Sequence, residues 1–185
     1  MALRCLLWTH TTDVSHDEDG EFVTVCKRCG AKFKGVQVKK TLLVHAPKEK
    51  VYEQTVNYDK WPSYLPYIKS TRLVSQEANT RIIECVFVDK KGRTKVRKMI
   101  QRLISPDRVE EEHTVRNGIV RAVQTFQEVD GDTEYSVTSY LQYLQISPLT
   151  YPILRRPLET LFEKRLKQSM EAMMQPKKKA AESSQ

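Results

Sequence analysis

Four residues near the start of the chain, Cys5, His10, Cys26 and Cys29, have the types and spacing to hold a metal ion. In Cys26-Lys-Arg-Cys29-Gly30, two thiols stand two residues apart ahead of a glycine. That pattern forms a tight turn whose backbone amides can point at thiolate sulfurs. With Cys5 and His10 it makes a Cys₃His set suited to tetrahedral Zn²⁺, closed by four protein ligands with no position left for water. The zinc expected here is structural, about one ion per chain, because so short a segment builds little core and metal must supply its folding energy. His16 is the rival to His10, although Asp13 to Gly20 reads as an exposed acidic loop. A redox dithiol uses the same Cys spacing but lacks a surrounding βαβ pattern, and thiols unrelated to any metal are the plainest reading.

Other chemistry is sparse. The sequence has no Gly-x-Ser-x-Gly, no phosphate-cradling glycine loop and no His-Glu-x-x-His. His113 follows Glu110-Glu-Glu112, a grouping that could do acid–base work. Alternation along a strand puts Glu110 and Glu112 opposite His113, so the expectation is a solvated face. His45 reads as a surface residue, and Cys85, inside Ile82-Ile-Glu-Cys-Val-Phe-Val88, as a small packing residue. The balance favours a binder over an enzyme.

Composition sets the class. Hydrophobic residues are 39% and charged residues 29% of the 185, which suits a globular protein rather than a disordered one. No apolar run approaches the roughly 18–20 residues that span a bilayer. Met1 to Trp8 is too short for a signal-peptide core, so a reducing, cytoplasmic location is expected. The net charge of +8 admits RNA, a ribosome or an anionic membrane surface as partner. Its scatter through Lys39-Lys40, Lys90-Lys91 and Arg155-Arg156 fits a solvated basic surface equally well.

Three segments position these residues: 1–35 with the knuckle, a periodic stretch over 36–175, and a polar basic tail over 176–185 that is expected to be disordered. The middle segment opens with a strand over 36–44 and a helix over 48–56 with Pro47 in its first turn. A proline-broken turn over 59–66 comes next. Strand candidates follow at 67–76, 80–89, 93–105, 107–116, 119–129 and 132–144, joined by links too short for parallel crossovers. Asp130-Gly131 is a two-residue hairpin signal. It pairs Phe126 with Tyr135, Gln124 with Val137, Ala122 with Ser139 and Val120 with Leu141. One face is then apolar; the other, with Arg121, Thr125, Ser136, Thr138 and Gln142, should be wet. The apolar stripe through Leu158, Phe162, Leu166 and Met170 makes a cover for that sheet. Its regular helix is expected to begin near Pro157 and run ~28 Å to Gln175.

This order of elements resembles the START-like superfamily, also called SRPBCC or the helix-grip fold. The expected class is therefore α+β: a curved antiparallel sheet of about seven strands around a long C-terminal helix, with the small zinc knuckle attached. His45-Ala-Pro-Lys-Glu-Lys-Val-Tyr52 looks like the family's entry to its first helix. Asn57-Tyr-Asp-Lys-Trp-Pro-Ser-Tyr-Leu-Pro-Tyr67 is similar to its aromatic and proline signature, closest to the coenzyme Q-binding and polyketide cyclase/dehydrase branch. The resemblance covers about three quarters of the chain. It implies a cavity between helix and sheet for an isoprenoid quinone, lipid, sterol or polyketide. Trp61, Tyr64 and Leu65 would close it, or serve as ordinary core. Phe87, Phe126, Val137 and Leu141 would line it, with Ser139, Tyr143 and Gln124 as its few polar groups. Leu158 and Phe162 would face it from the helix, and Met170, Met173 and Met174 would adapt its packing. The leading function is a non-catalytic carrier; an aromatase/cyclase-type enzyme and an RNA- or ribosome-binding module are the alternatives.

Overall fold

The computed structural model describes residues 10–16, 22–34, 36–89, 91–115, 118–143, 145–146 and 151–174. The tail beyond 174 and Cys5 lie outside them. Seven strands form one antiparallel sheet: β4 (Val36–Val44), β5 (Ile68–Glu77), β6 (Thr80–Val88), β7 (Thr94–Ser105), β8 (Arg108–Val115), β9 (Gly118–Val129) and β10 (Asp132–Tyr143). Their spatial order is β4-β10-β9-β8-β7-β6-β5, a meander closed on one edge by the first strand of the group. Register shifts interrupt the β5–β6 pairing at Ile68/Ser70 and Leu73/Ser75, and the β7–β8 pairing at Leu103/Ser105. Irregularities of this kind bend strands, and the sheet curls.

The β9–β10 hairpin carries the expected register: Phe126 faces Tyr135, Gln124 faces Val137, Ala122 faces Ser139 and Val120 faces Leu141. Asp130 at φ 53° and Gly131 at φ 84° make the turn that permits it. At the hairpin's open end, a Cβ on Gly118 would sit 2.3 Å from the Gln142 carbonyl oxygen, so only glycine fits.

Three helices complete the domain: α1 (Lys48–Val56), α2 (Trp61–Tyr64) after a 3₁₀ turn at Tyr58–Lys60, and α3 (Tyr151–Met174). Pro47 stands just before α1 rather than in its first turn, and its carbonyl accepts from the amides of Lys50 and Val51. α3 begins six residues before Pro157, which lies inside it. Expecting the proline to start the helix was wrong. Ile153, whose carbonyl would have taken the missing proline N–H, is 74% exposed, so water can satisfy that carbonyl. At 24 residues α3 is ~36 Å long. Its C-terminal half grips the sheet; Met170 is fully buried, and Met173 packs against both core clusters. No helix among the described residues is long and apolar enough to cross a membrane.

The outer face of the hairpin is wet as expected near the turn, where Thr125, Gln127 and Glu134 are exposed, and departs from that expectation farther along β10. Tyr140, Gln142 and Ser136 are buried there. Strands β1 (His10–His16), β2 (Phe22–Cys26) and β3 (Lys32–Lys34) form a second sheet with β11 (Gln145–Ile146), in the order β11-β1-β2-β3. This sheet covers the end of β10: the Thr24 and Tyr140 hydroxyls hydrogen-bond, and the Gln142 amide donates to the Thr12 carbonyl at 3.5 Å. Alternation reads only the local strand, and these covering residues come from more than a hundred positions away.

A candidate ligand site with a polar row

Period-two alternation decides which side chains face α3. On β8, Val109 is fully buried in the core, so Glu111 and His113 share its face. The ladder then places Gln101 of β7 beside Glu111, and Met99 beside His113. On β9 the even residues Val120, Ala122, Gln124 and Phe126 face inward, opposite the odd residues of β10.

A polar row results, running diagonally over four strands on the gripped face. The Gln101 amide donates to Glu111 Oε1 at 3.1 Å, and Gln124 also hydrogen-bonds the Glu111 carboxyl. The Tyr135 hydroxyl donates to Gln124 Oε1 at 2.5 Å, and Thr55 of α1 hydrogen-bonds Tyr135. Burial pushes the Glu111 carboxyl up to about 7, with the two glutamine amides pulling partly back. Gln101 is fully buried, yet among the described residues its Oε1 has no partner. Turning the amide over would leave its NH₂ unmatched instead. Burying an unmatched amide atom costs about 1–3 kcal/mol unless something supplies the bond.

A second constellation lies farther along β7. Phe87 of β6 stacks on Tyr67 with ring centroids 6.4 Å apart, and on His113 at the same separation. The Arg97 guanidinium lies 5.1 Å over the Phe87 ring. Tyr67 donates to Ser169 of α3 at 2.9 Å, which ties the stack to the helix. Burial first, and then the charge of Arg97, push the His113 imidazole down to about 4. The expectation that His113 lies on a solvated face is therefore corrected: Glu110 and Glu112 do point away, whereas His113 points in with Glu111.

The residues expected to line the cavity fall into two groups. Phe126 and Val137 belong to the cluster around Met170, where Phe126 stacks on Tyr135 at 5.2 Å. Trp61 and Leu65 belong to the cluster around Ile83 and Cys85, with Tyr64 and Phe87 packed against it. Trp61 is 3% exposed, and its indole N–H donates to the Thr55 carbonyl at 3.0 Å; Tyr64 donates to the Gln54 carbonyl at 2.7 Å. Ser139 is buried on the gripped face, while Leu141, Leu158 and Phe162 are half-buried. The Tyr143 side chain lies outside the described residues. Cys85 is buried, and burial pushes its thiol up to about 12, out of reach of nucleophilic use near neutrality.

At the metal motif, Cys26 ends β2 and is buried, and Cys29 follows in the turn. The Gly30 amide donates to the Cys26 carbonyl at 3.0 Å, the Cys26 amide donates to the Ala31 carbonyl at 2.9 Å, and Gly30 takes φ 69°. Cys5 and the side chains of His10 and His16 lie outside the described residues. Among the described residues no three metal-ligating groups converge.

No protein-family model and no curated protein matches this sequence. Solved structures do. The chain aligns over 75% of its length with a START superfamily protein from Mycobacterium smegmatis, at TM-score 0.58 and 15% identity, covering 96% of that protein. The fold is the START-like helix-grip. The same share of the chain matches the Zhui aromatase/cyclase from a Streptomyces species at TM-score 0.61 and 13% identity, covering 90% of it. It also matches the di-domain ARO/CYC StfQ of the steffimycin biosynthetic pathway at TM-score 0.63 and 12% identity, covering half of that longer chain. At such identities the likeness establishes the fold, and function has to be argued from the helix-grip interior itself.

Glu111, Gln101 and Arg97 were not singled out from the sequence. The signal existed: counting by twos from the apolar Val109 puts Glu111 and His113 on its face. The run of three glutamates hid it, because such a run reads as solvated surface.

Proposed function

We propose that this chain binds a small, mostly apolar molecule bearing a polar group, held between α3 and the gripped face of the sheet. The observation that carries this reading is the Gln101–Glu111–Gln124–Tyr135 row on the gripped face, with one end of the Gln101 amide unmatched among the described residues. A packing core rarely keeps a polar atom unmatched, whereas ligand pockets are mainly apolar with a few placed polar groups. The fold supports the reading through relatives described as aromatase/cyclases and a START protein. A quinone, a lipid or a polyketide-like molecule fits it, and carriage without chemistry is the leading form. RNA or ribosome binding finds no support in the fold.

A second reading is favoured by one residue. Glu111, with its carboxyl near 7, can take or give a proton at neutral pH, which a cyclase-type enzyme acting on a bound polyketide would require. We further propose that Cys5, His10, Cys26 and Cys29 hold one structural zinc, with the Cys26–Gly30 turn as its firm half, and that 1–35 is the knuckle attached to a ligand-binding domain over 36–175.

The test uses the neutral fluorophore 1-aminoanthracene. Saturable binding at one site per chain, displaced by molecules extracted from gently purified protein, is expected. Ala122→Trp, which fills the gripped face, should weaken binding about tenfold or more while the circular dichroism spectrum is kept. Binding that is absent, or indifferent to Ala122→Trp, defeats the proposal.

A further inference from the structure

Arg97 does not belong to the polar row, and among the described residues its side chain has no acidic partner. It lies on β7 with the inward parity of Met99 and Gln101, beside Cys85 of β6, and is only partly exposed. Its guanidinium carbon lies 5.1 Å from the centre of Phe87, which stacks with Tyr67 and His113. Of the other inward cations among the described residues, Lys40 pairs with Glu163 of α3, Arg81 donates to the Val56 carbonyl at 3.4 Å, and Lys95 is exposed. Among the described residues, the Arg97 guanidinium joins no ion pair and donates no hydrogen bond. The adjacent His113 is neutral at physiological pH and offers no competing charge. The acidic side chains nearest in register, Glu84 and Glu112, face the other side of the sheet, where they pair with Arg72 and Arg121. Glu111 lies deeper, bonded to Gln101 and Gln124.

We propose that Arg97 is the anion-reading subsite of the ligand site, and that the ligand is an amphipathic carboxylic acid. This rests on the ligand-binding reading given above. A guanidinium held over an aromatic ring still presents its N–H donors as a planar fork that matches a carboxylate. The surface beyond it, at Met99, Cys85 and Ile83, is apolar and buried, so it suits the hydrocarbon part of such a molecule. Gln101 lies four residues farther along the strand, roughly 13 Å away at 3.3 Å per residue. A hydroxyl at that distance from the carboxylate would meet the unmatched Gln101 amide. The competing account is that Arg97 lays its stem on Phe87 and leaves its charge in water.

Displacement of 1-aminoanthracene from the full chain by dodecanoate and by dodecan-1-ol separates the two. Dodecanoate should bind about tenfold or more tightly than the alcohol in the wild type, the margin expected of a charge-assisted pair. Arg97→Met should remove that preference and leave the alcohol's affinity within about twofold, and Arg97→Lys should keep part of it. Equal binding of acid and alcohol by the wild type overturns the subsite and leaves apolar binding standing, as does a preference surviving in Arg97→Met. Failure of both compounds to displace a bound dye overturns the subsite, and absence of dye binding overturns the ligand-binding reading with it. The wild-type comparison decides the matter even where a variant folds poorly.

Discussion

Glu111 and His113 share one face of one strand, and burial moves their proton affinities in opposite directions, so together they give a pH signature that can be dissected. The Glu111 carboxyl rises from 4.5 to about 7. Below pH 4.5 it is neutral in both the folded and unfolded chain and costs nothing. As pH rises from 4.5 to 7 the unfolded chain releases its proton first, and stability falls. His113 falls from 6.5 to about 4. Above pH 6.5 it is neutral in both states; as pH drops from 6.5 to 4 the unfolded chain takes up its proton first, and stability falls on that side. Each shift spans about 2.5 units, or ~3 kcal/mol at 1.36 kcal/mol per unit. That is a ceiling, since both residues keep part of their surface in contact with solvent. The two slopes oppose each other between pH 4.5 and 6.5, so their joint contribution in the wild type is nearly flat there. The assay is urea unfolding at half-unit steps from pH 4.5 to 8, comparing wild type, Glu111→Gln, His113→Gln and the double variant. Relative to wild type, Glu111→Gln should gain up to ~3 kcal/mol between pH 4.5 and 7, exposing the histidine's slope. His113→Gln should expose the opposite slope. A Glu111→Gln profile parallel to wild type would show that the carboxyl is not enclosed, and the reasoning about the polar row would fail with it.

Four further outcomes follow from individual contacts. Gly118→Ala should lower stability by about 1–3 kcal/mol in urea unfolding, because its Cβ would meet the Gln142 carbonyl oxygen at 2.3 Å. Met170→Ala should cost about 2–5 kcal/mol, since Met170 is fully buried in the cluster that joins α3 to the sheet. Ala78→Gly should raise stability by up to ~1 kcal/mol, because Ala78 takes φ 46° in the β5–β6 turn. Elemental analysis of full-length protein should find about one zinc per chain, and a Cys26→Ser, Cys29→Ser double variant should lose it while the helix-grip domain still unfolds cooperatively.

Local rules made much of the architecture readable. The Asp130-Gly131 turn, with alternation on both sides, determines the β9–β10 register by itself. Short Gly-, Pro- and Asn-bearing links force the meander, and a stripe at helical spacing announces α3. What stayed hidden depends on distant partners. The start of α3 could not be placed, because the proline's missing bond is tolerable only where Ile153 is open to water. The outer face of β10 reads as wet because nothing beside Tyr140 or Gln142 in sequence says that β1 and β2 come to lie on them. The polar row was missed for the same reason. Gln101, Glu111, Gln124 and Tyr135 are separately ordinary strand residues, and only the ladder across four strands brings them together.

The central claim is that ligand enters the gripped face beneath α3, and methionine methyl NMR addresses it directly. Met99 and Met170 are buried on that face, and Met173 joins the two clusters, so their methyl groups report from inside. Titration with dodecanoate should move all three resonances saturably, with a single stoichiometric end point. Resonances that stay fixed while the fluorophore still binds would place the ligand elsewhere and contradict the account.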